Sequence, residues 1–336
     1  MREIAETARN QDWIVVWAEA SCADSLAKKL SQAMYLELRK FRNSEKPLSS
    51  AFKHALSVLK SFQLKIDPSG ACSFGLNVEP AQGYADSGDL TLDLTDLVYA
   101  MGNAARNAES AILICIDELQ EASSIDLTAL NVALHTIGQG SNPVPVYLIG
   151  AGLPTLPAVL AEATNYAERM YQFYSLDLLK DDAVRDAYTE PTLKSNITWN
   201  ENALNDAIGA AAGYPYFIQQ CGFCICEQVT PPCKIDVSVS NIGIQLAKEE
   251  LDRGLYRSRW DRATPMGKEM MTCMAQDNEM SKLSDVAKRM GKNKASDLSV
   301  LRNKLITDGL IYSPKRGYVA FTAPRMNDFI NRHNED

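Results

Sequence analysis

Apolar positions in the first 60 residues recur mostly at helical spacing, broken by one short apolar run. Residues 2–9 are rich in Ala and Glu and predict the end of a helix, and Trp13-Ile14-Val15-Val16-Trp17 follows with strand preferences. Residues 25–41 and 49–59 place apolar side chains three and four apart, which predicts two helices. The period then changes to two. Phe62, Leu64 and Ile66 alternate with polar residues, as do Cys72, Phe74, Leu76 and Val78, with Asp67-Pro68-Ser69-Gly70 between them. That pattern predicts a hairpin over about residues 61–79.

Residues 93–105 predict a helix. Behind it, Ala111-Ile112-Leu113-Ile114-Cys115-Ile116 runs without alternation straight into Asp117-Glu118, the pattern of a central parallel strand buried on both faces. An amphipathic helix with Leu127, Leu130, Leu134 and Ile137 on one stripe comes next, then a second apolar run over residues 144–149 that ends in Gly150-Ala151-Gly152. Strand, helix, strand predicts a doubly wound α/β sheet for residues 1–176.

Beyond Leu176 no strand pattern is visible, and residues 180–188, 201–212 and 215–229 read as successive helices of a small helical domain with its linker, residues 177–262. Residues 253–262 read as a polar, Arg-rich connector. Thr264-Pro265 then supplies an N-cap and a favourable first helical residue. Helices over residues 264–275, 284–290 and 295–308 and a hairpin over 310–321, around Lys315-Arg316-Gly317, follow the layout of a winged helix-turn-helix spanning 263–336. Its third helix gathers Leu298, Leu301 and Leu305 on one face and leaves Arg302 and Lys304 off that stripe, free to reach a DNA groove and a phosphate. Lys294, Lys315 and Arg316 complete the set of candidate DNA contacts; a protein-docking role is the alternative for the same module.

Charge sharpens this division. The chain carries 34 Lys plus Arg against 42 Asp plus Glu, net −8, but residues 264–336 hold 12 basic and 9 acidic residues, so an acidic body ends in a mildly basic tail. Residues 282–316 hold 9 basic and 3 acidic residues, enough to meet a phosphate backbone or simply to form a solvated face. With 46% hydrophobic and 23% charged residues the composition is that of a folded globular protein rather than a disordered or fibrous one. No apolar stretch approaches the ~20 residues that span a bilayer. The charged start, Met1-Arg2-Glu3-Ile4-Ala5-Glu6, lacks a signal-peptide apolar region, so the expected location is cytoplasmic.

Eight cysteines without an export signal predict reduced thiols. Cys221, Cys224, Cys226 and Cys233 cluster, but C-x2-C-x-C-x6-C is not the spacing of paired zinc knuckles, and small thiols on a packed helix are the favoured reading over a zinc module. His54, His135 and His333 are isolated from one another.

Asp117-Glu118 at the end of a buried strand has the chemistry of a Walker B motif. The aspartate holds Mg2+ through its water shell and the glutamate polarises the attacking water in phosphoryl transfer. The matching phosphate loop, G-x-x-x-x-G-K-[ST], occurs nowhere: Gly267-Lys268 is followed by Glu269, Gly291-Lys292 by Asn293, and the first glycine of the chain is Gly70.

Ala85-Asp86-Ser87-Gly88-Asp89-Leu90, Ile116-Asp117-Glu118-Leu119-Gln120, Leu148-Ile149-Gly150-Ala151-Gly152-Leu153-Pro154, Tyr166-Ala167-Glu168-Arg169, Gly213-Tyr214-Pro215-Tyr216-Phe217 and Gly309-Leu310-Ile311-Tyr312-Ser313-Pro314 together resemble a bacterial branch of AAA+ ATPases related to origin-recognition ATPases and STAND NTPases. The resemblance covers nearly the whole chain. It implies a P-loop module, a helical lid and a winged helix, with ATP and Mg2+ as cofactors, Asp117 as the Mg2+ ligand and Glu118 as the catalytic glutamate. It also implies that Arg169 is a sensor or finger arginine near the γ-phosphate and that Gly213, Tyr214 and Pro215 form the lid turn at the adenine. The strand after the acidic pair ends in Gly150, where the family has a polar sensor. By the same resemblance the chain starts just after the phosphate loop and lacks the first strand, as a shortened expressed segment, a misplaced start codon or a natural loss would all produce. Exposed strand backbone, and association or lower stability, is the expected consequence.

Two functions follow from this reading. One is an ATP-driven switch whose lid moves a winged helix on DNA or a protein partner, and the resemblance to ring-forming relatives adds a homo-oligomer as a candidate assembly. The other is a non-catalytic DNA- or protein-binding module on a degenerate ATPase scaffold.

Overall fold

The computed structural model describes residues 1–42, 49–67, 78–139 and 142–333, in two units, Met1–Tyr174 and Ser175–Asp336. In the first unit, α1 (Arg2–Asn10) leads into β1 (Ile14–Glu19), and α2 (Leu26–Arg42), α3 (Ser50–Ile66) and α4 (Leu90–Asn107) precede β2 (Ile112–Asp117). Then come α5 (Ser124–Gln139), β3 (Val146–Gly150), α6 (Leu156–Ala163) and α7 (Ala167–Met170).

The three strands form one parallel sheet in the order β1-β2-β3, with Ile14 beside Ile112 and Ile112 beside Val146. Side chains alternate between its faces. Ile14, Val16, Ile112, Ile114 and Ile116 join the large core made with α2 to α5, whereas Val15, Leu113 and Cys115 pack on Ala5 and Ala8 of α1. Burial on both faces explains why the β2 sequence is apolar without alternation. Each fully buried isoleucine contributes about 1.5–3 kcal/mol.

The predicted hairpin is corrected here. Phe62, Leu64 and Ile66 belong to the last turns of α3, while Cys72, Phe74 and Leu76 lie outside the described residues and Val78 is not in a strand. Phe52, Ala55, Leu56, Leu59, Phe62 and Gln63 are buried at intervals of three and four, the stripe of a helix, and Leu64 is 37% exposed. The two-residue alternation was a short stretch of that helix in which apolar residues also occur off the buried stripe.

The second unit begins with α8 (Asp181–Lys194), β4 (Ile197–Trp199), α9 (Glu201–Ala211), α10 (Pro215–Cys226), β5 (Cys233–Ile235) and α11 (Val237–Leu251). β4 and β5 pair in parallel, so the expectation of a strand-free segment is also corrected; three-residue strands are too short to display a period. Residues 253–262 are not a connector. A π-helical turn, Asp252–Tyr256, continues α11 into α12 (Arg257–Arg262). Its extra residue absorbs the five-residue step from Leu251 to Tyr256 and keeps Leu251, Tyr256 and Trp260 in one core. Two of the arginines that suggested a linker are exposed and meet carboxylates, Arg253 that of Glu249 and Arg257 that of Asp261.

The chain ends with α13 (Pro265–Met274), β6 (Ser281–Lys282), α14 (Leu283–Arg289), α15 (Ser299–Thr307), β7 (Ile311–Tyr312), β8 (Tyr318–Phe321) and α16 (Met326–His333). Thr264 caps α13, its hydroxyl accepting from the Gly267 amide at 3.2 Å. The strands form a small antiparallel sheet in the order β6-β8-β7. β6 and α16 extend the expected layout; α16 buries Met326, Phe329 and Ile330 in the same core as α8 to α12.

Candidate nucleotide site

The chain leaves the buried centre of the sheet at Asp117, the last residue of β2, which is half-buried, and Glu118, which is exposed. The backbone turns sharply there. Glu118 adopts a left-handed conformation at φ 50° and ψ 36°, unfavourable for a residue with a Cβ and a feature that clusters at functional sites. The Asp117 carboxylate accepts from the Glu118 amide at 3.0 Å, which helps to hold the turn.

Two backbone bonds tie this turn to the loop after β3, Ala151 N–H donating to Ile116 O and Leu119 N–H to Ala151 O, both at 2.9 Å, and a third ties it to the segment after β1, Ala20 N–H donating to Asp117 O at 2.9 Å. Leu119 is buried beneath the turn, and a Cβ on Gly150 would stand 2.6 Å from its Cδ2. The glycine at the end of β3, which fits no sensor role, is the space that Leu119 fills. Gln120 links the two loops through its side chain. Its Oε1 accepts from the Leu153 amide at 3.1 Å and its Nε2 donates to Glu118 Oε2 at 2.7 Å. A Cβ on Gly152 would come within 2.3 Å of that same Oε1.

The loop after β1 is fixed by Asp126 of α5, a buried carboxylate that accepts from the amides of Leu26 and Ala27 at 3.2 and 3.1 Å and from the hydroxyls of Ser25 and Ser123 at 2.9 and 2.8 Å. It caps α2 from across the core. Neither Gln120 nor Asp126 stands out in the sequence. Their roles depend on partners far along the chain, and a buried Asp within a helical stripe was the signal available.

Among the described residues no group of three or more His, Cys, Asp or Glu is placed to hold a metal ion. The hard oxygens of Asp117 suit Mg2+ as one carboxylate beside phosphate ligands, the usual mode for that ion, rather than as a cage. Cys221 and Cys224 are buried on α10, and burial pushes the Cys221 thiol up to about 11.

The other predicted site residues are dispersed. Arg169, on the short α7, is exposed, and no hydrogen bond or ion pair joins it to Asp117 or Glu118. Gly213, Tyr214 and Pro215 belong to the second unit. Gly213 follows the left-handed Ala212 with its own φ of 72°, and a Cβ there would meet Leu179 O at 2.3 Å, so the turn requires glycine. Tyr214 lies edge-on to Phe217, 4.8 Å between ring centroids, and Pro215 opens α10.

The basic candidates surround α15 and the β7–β8 turn. Lys294, Lys304, Lys315 and Arg316 are exposed and Arg302 is half-buried. Leu298 and Leu305 are buried as the stripe predicts, with Leu301 partly so. Two of the cations already have partners: Lys304 pairs with Asp308 at 2.8 Å, and Lys315 Nζ lies 4.3 Å from the Tyr318 ring centroid. Arg302 donates to Asn303 Oδ1. No helix among the described residues is long and apolar enough to cross a membrane.

Residues 253–330 match a family described as a domain of unknown function, DUF8462. No curated protein matches the sequence. The structure of the Walker-type ATPase PABY2304 of Pyrococcus abyssi is similar over 98% of this chain and 94% of that one, with a TM-score of 0.52 and 12% identity. The ADP form of the Aeropyrum pernix ORC2 protein is similar over 100% of this chain and 83% of that one, with a TM-score of 0.54 and 11% identity. At such identities the likeness establishes the fold alone, a parallel sheet with many helices as in those two structures.

Proposed function

We propose that the chain is the core of an AAA+ type nucleotide switch, with Asp117 and Glu118 as its Walker B pair. The observation that carries this reading is their position: a conformationally unfavourable acidic turn at the carboxyl end of the central parallel strand, where open α/β sheets bind ligands. Asp117 would hold the Mg2+ of a bound nucleotide through its water shell, the ion screening phosphate charge. Glu118 would orient and polarise the attacking water. Arg169 would serve the γ-phosphate.

In the same reading the C-terminal helices and small sheet are a winged helix, with Lys294, Arg302, Lys304, Lys315 and Arg316 facing DNA. The sequence contains no G-x-x-x-x-G-K-[ST] cradle, so the phosphates need contacts from another segment or another chain. Mg-ATP hydrolysis that disappears in Glu118→Gln supports the assignment, and hydrolysis that survives it removes Glu118 from the mechanism.

One observation favours a second reading, a non-catalytic docking module on the same scaffold. The Glu118 carboxylate is already engaged by Gln120, and Lys304 by Asp308, as in a protein that has put both to structural use.

A further inference from the structure

The carboxamide of Gln120 sits between two groups of fixed polarity. The Leu153 N–H can only donate, and it donates to Oε1 at 3.1 Å; the ionised Glu118 carboxylate can only accept, and it accepts from Nε2 at 2.7 Å. Only one orientation of the amide satisfies both. The backbone around it is held as well, with Leu119 N–H bonded to Ala151 O and Glu121 N–H to Glu118 O, at 2.9 and 2.8 Å. Gly152 makes room for the carboxamide, since a Cβ there would overlap Oε1.

Glu118 is exposed. An exposed glutamate samples several rotamers, whereas a general base must hold one, within hydrogen-bond reach of the proton it takes. Among the described residues Gln120 is the one side chain bonded to the Glu118 carboxylate, through Oε2, and Oε1 is left without a donor. The bond fixes the direction of the carboxylate and leaves one oxygen open to a water. The far end of the same amide is anchored to the backbone of the loop after β3, so the direction of the carboxylate and the position of that loop are linked.

We propose that Gln120 is a positioning residue for Glu118, holding the carboxylate toward the attacking water and making that direction depend on the loop after β3. This rests on the Walker B reading of Glu118 and adds a control to the same site. Displacement of residues 151–153, or loss of the carboxamide, turns the carboxylate away and slows hydrolysis without changing nucleotide affinity.

The test is steady-state ATP hydrolysis by the 336-residue chain and its variants, with kcat and KM separated. Gln120→Glu keeps an oxygen for the Leu153 amide but replaces the donor to Glu118 by a second carboxylate, whereas Gln120→Met is similar in length and loses both bonds. A positioning role predicts kcat lower by about tenfold or more in both variants, with KM within about twofold of the parent. In Gln120→Glu the acid limb of the pH–rate profile should also move to higher pH, because each of two adjoining carboxylates disfavours ionisation of the other. A purely structural role predicts another order, with Gln120→Glu close to the parent and Gln120→Met impaired, and that order overturns the proposal. Gly152→Ala displaces the end of a flexible side chain rather than backbone, so it should fold and lower kcat in the same way, which covers the case in which substitutions at 120 disturb the turn. Hydrolysis that survives Glu118→Gln, or a parent chain that hydrolyses no ATP, removes the catalytic reading of Glu118 and this inference with it. Hydrolysis that depends on Glu118 but on neither Gln120 nor Gly152 overturns this inference alone.

Discussion

Glu118 and Gln120 are joined by a 2.7 Å hydrogen bond from Nε2 to Oε2, and Gln120 is itself anchored to the Leu153 amide. The acidic turn after β2 is thereby fastened to the loop after β3 through one carboxamide. Gln120→Leu, close in volume but without either bond, leaves the Leu153 N–H without its acceptor. A loss of about 1 kcal/mol in stability is expected, measured by urea unfolding of the parent and variant chains. Unchanged stability would mean that solvent replaces both bonds at no cost.

α10 and α11 approach closely at Gly243, where a Cβ would stand 2.5 Å from the Ile225 Cα. Backbone cannot step aside as a flexible side chain can. Gly243→Ala should destabilise the second unit by about 1–3 kcal/mol, despite the better helix propensity of alanine. Gly209→Ala is the control, since nothing lies within 4 Å of the position its Cβ would take. Thermal melts of the two variants should differ in sign or by several degrees.

Asp277 and Arg289 form a two-bond pair, at 2.7 and 2.8 Å, that holds α14 to the end of α13. The hydrogen bonds from Arg289 hold the Asp277 carboxyl below the usual carboxylate range, with burial opposing. A depressed folded-state pKa contributes stability above the unfolded value of about 4, and that contribution is lost as pH falls through the folded value. Asp277→Asn should therefore cost about 1 kcal/mol at pH 7 and progressively less below about pH 4, converging with the parent in strong acid. Denaturant midpoints collected from pH 7 to pH 2 check this. A gap between the two proteins that stays constant through acid contradicts it.

DNA contact through α15 makes unequal predictions for its two cations. Among the described residues Arg302 is held only by a neighbouring asparagine, whereas Lys304 is paired with Asp308. Arg302→Ala should lower the slope of log affinity against log salt by about 1, as for the loss of one phosphate contact, and Lys304→Ala should lower it less. Fluorescence anisotropy with duplex DNA at several salt concentrations measures both. Affinity indifferent to salt, or to both substitutions, assigns these elements to protein docking.

Much of the sheet was legible in the sequence because its signal is local. Ile112 to Ile116 are continuously apolar, since both faces of β2 are covered, and the chain emerges into Asp117 where the cover ends. The Thr264 cap was likewise readable from three residues. What escaped depends on distant partners or on a broken period. The last turns of α3 carried an accidental alternation at Phe62, Leu64 and Ile66. The π-helical turn at Asp252–Tyr256 displaced a helical stripe by one residue and made it look like a linker. Asp126 acts on backbone amides about 100 residues away, and Gln120 on an amide 33 residues away, so neither could be recognised from its own neighbourhood.

Equilibrium binding of ATP and ADP by calorimetry, with and without Mg2+, is the direct measure of whether Asp117 and Glu118 form a nucleotide site. Binding strengthened by Mg2+ is expected, with that strengthening lost in Asp117→Asn while the variant remains folded. Failure of the parent chain to bind either nucleotide, or binding that is indifferent both to Mg2+ and to Asp117→Asn, would contradict it.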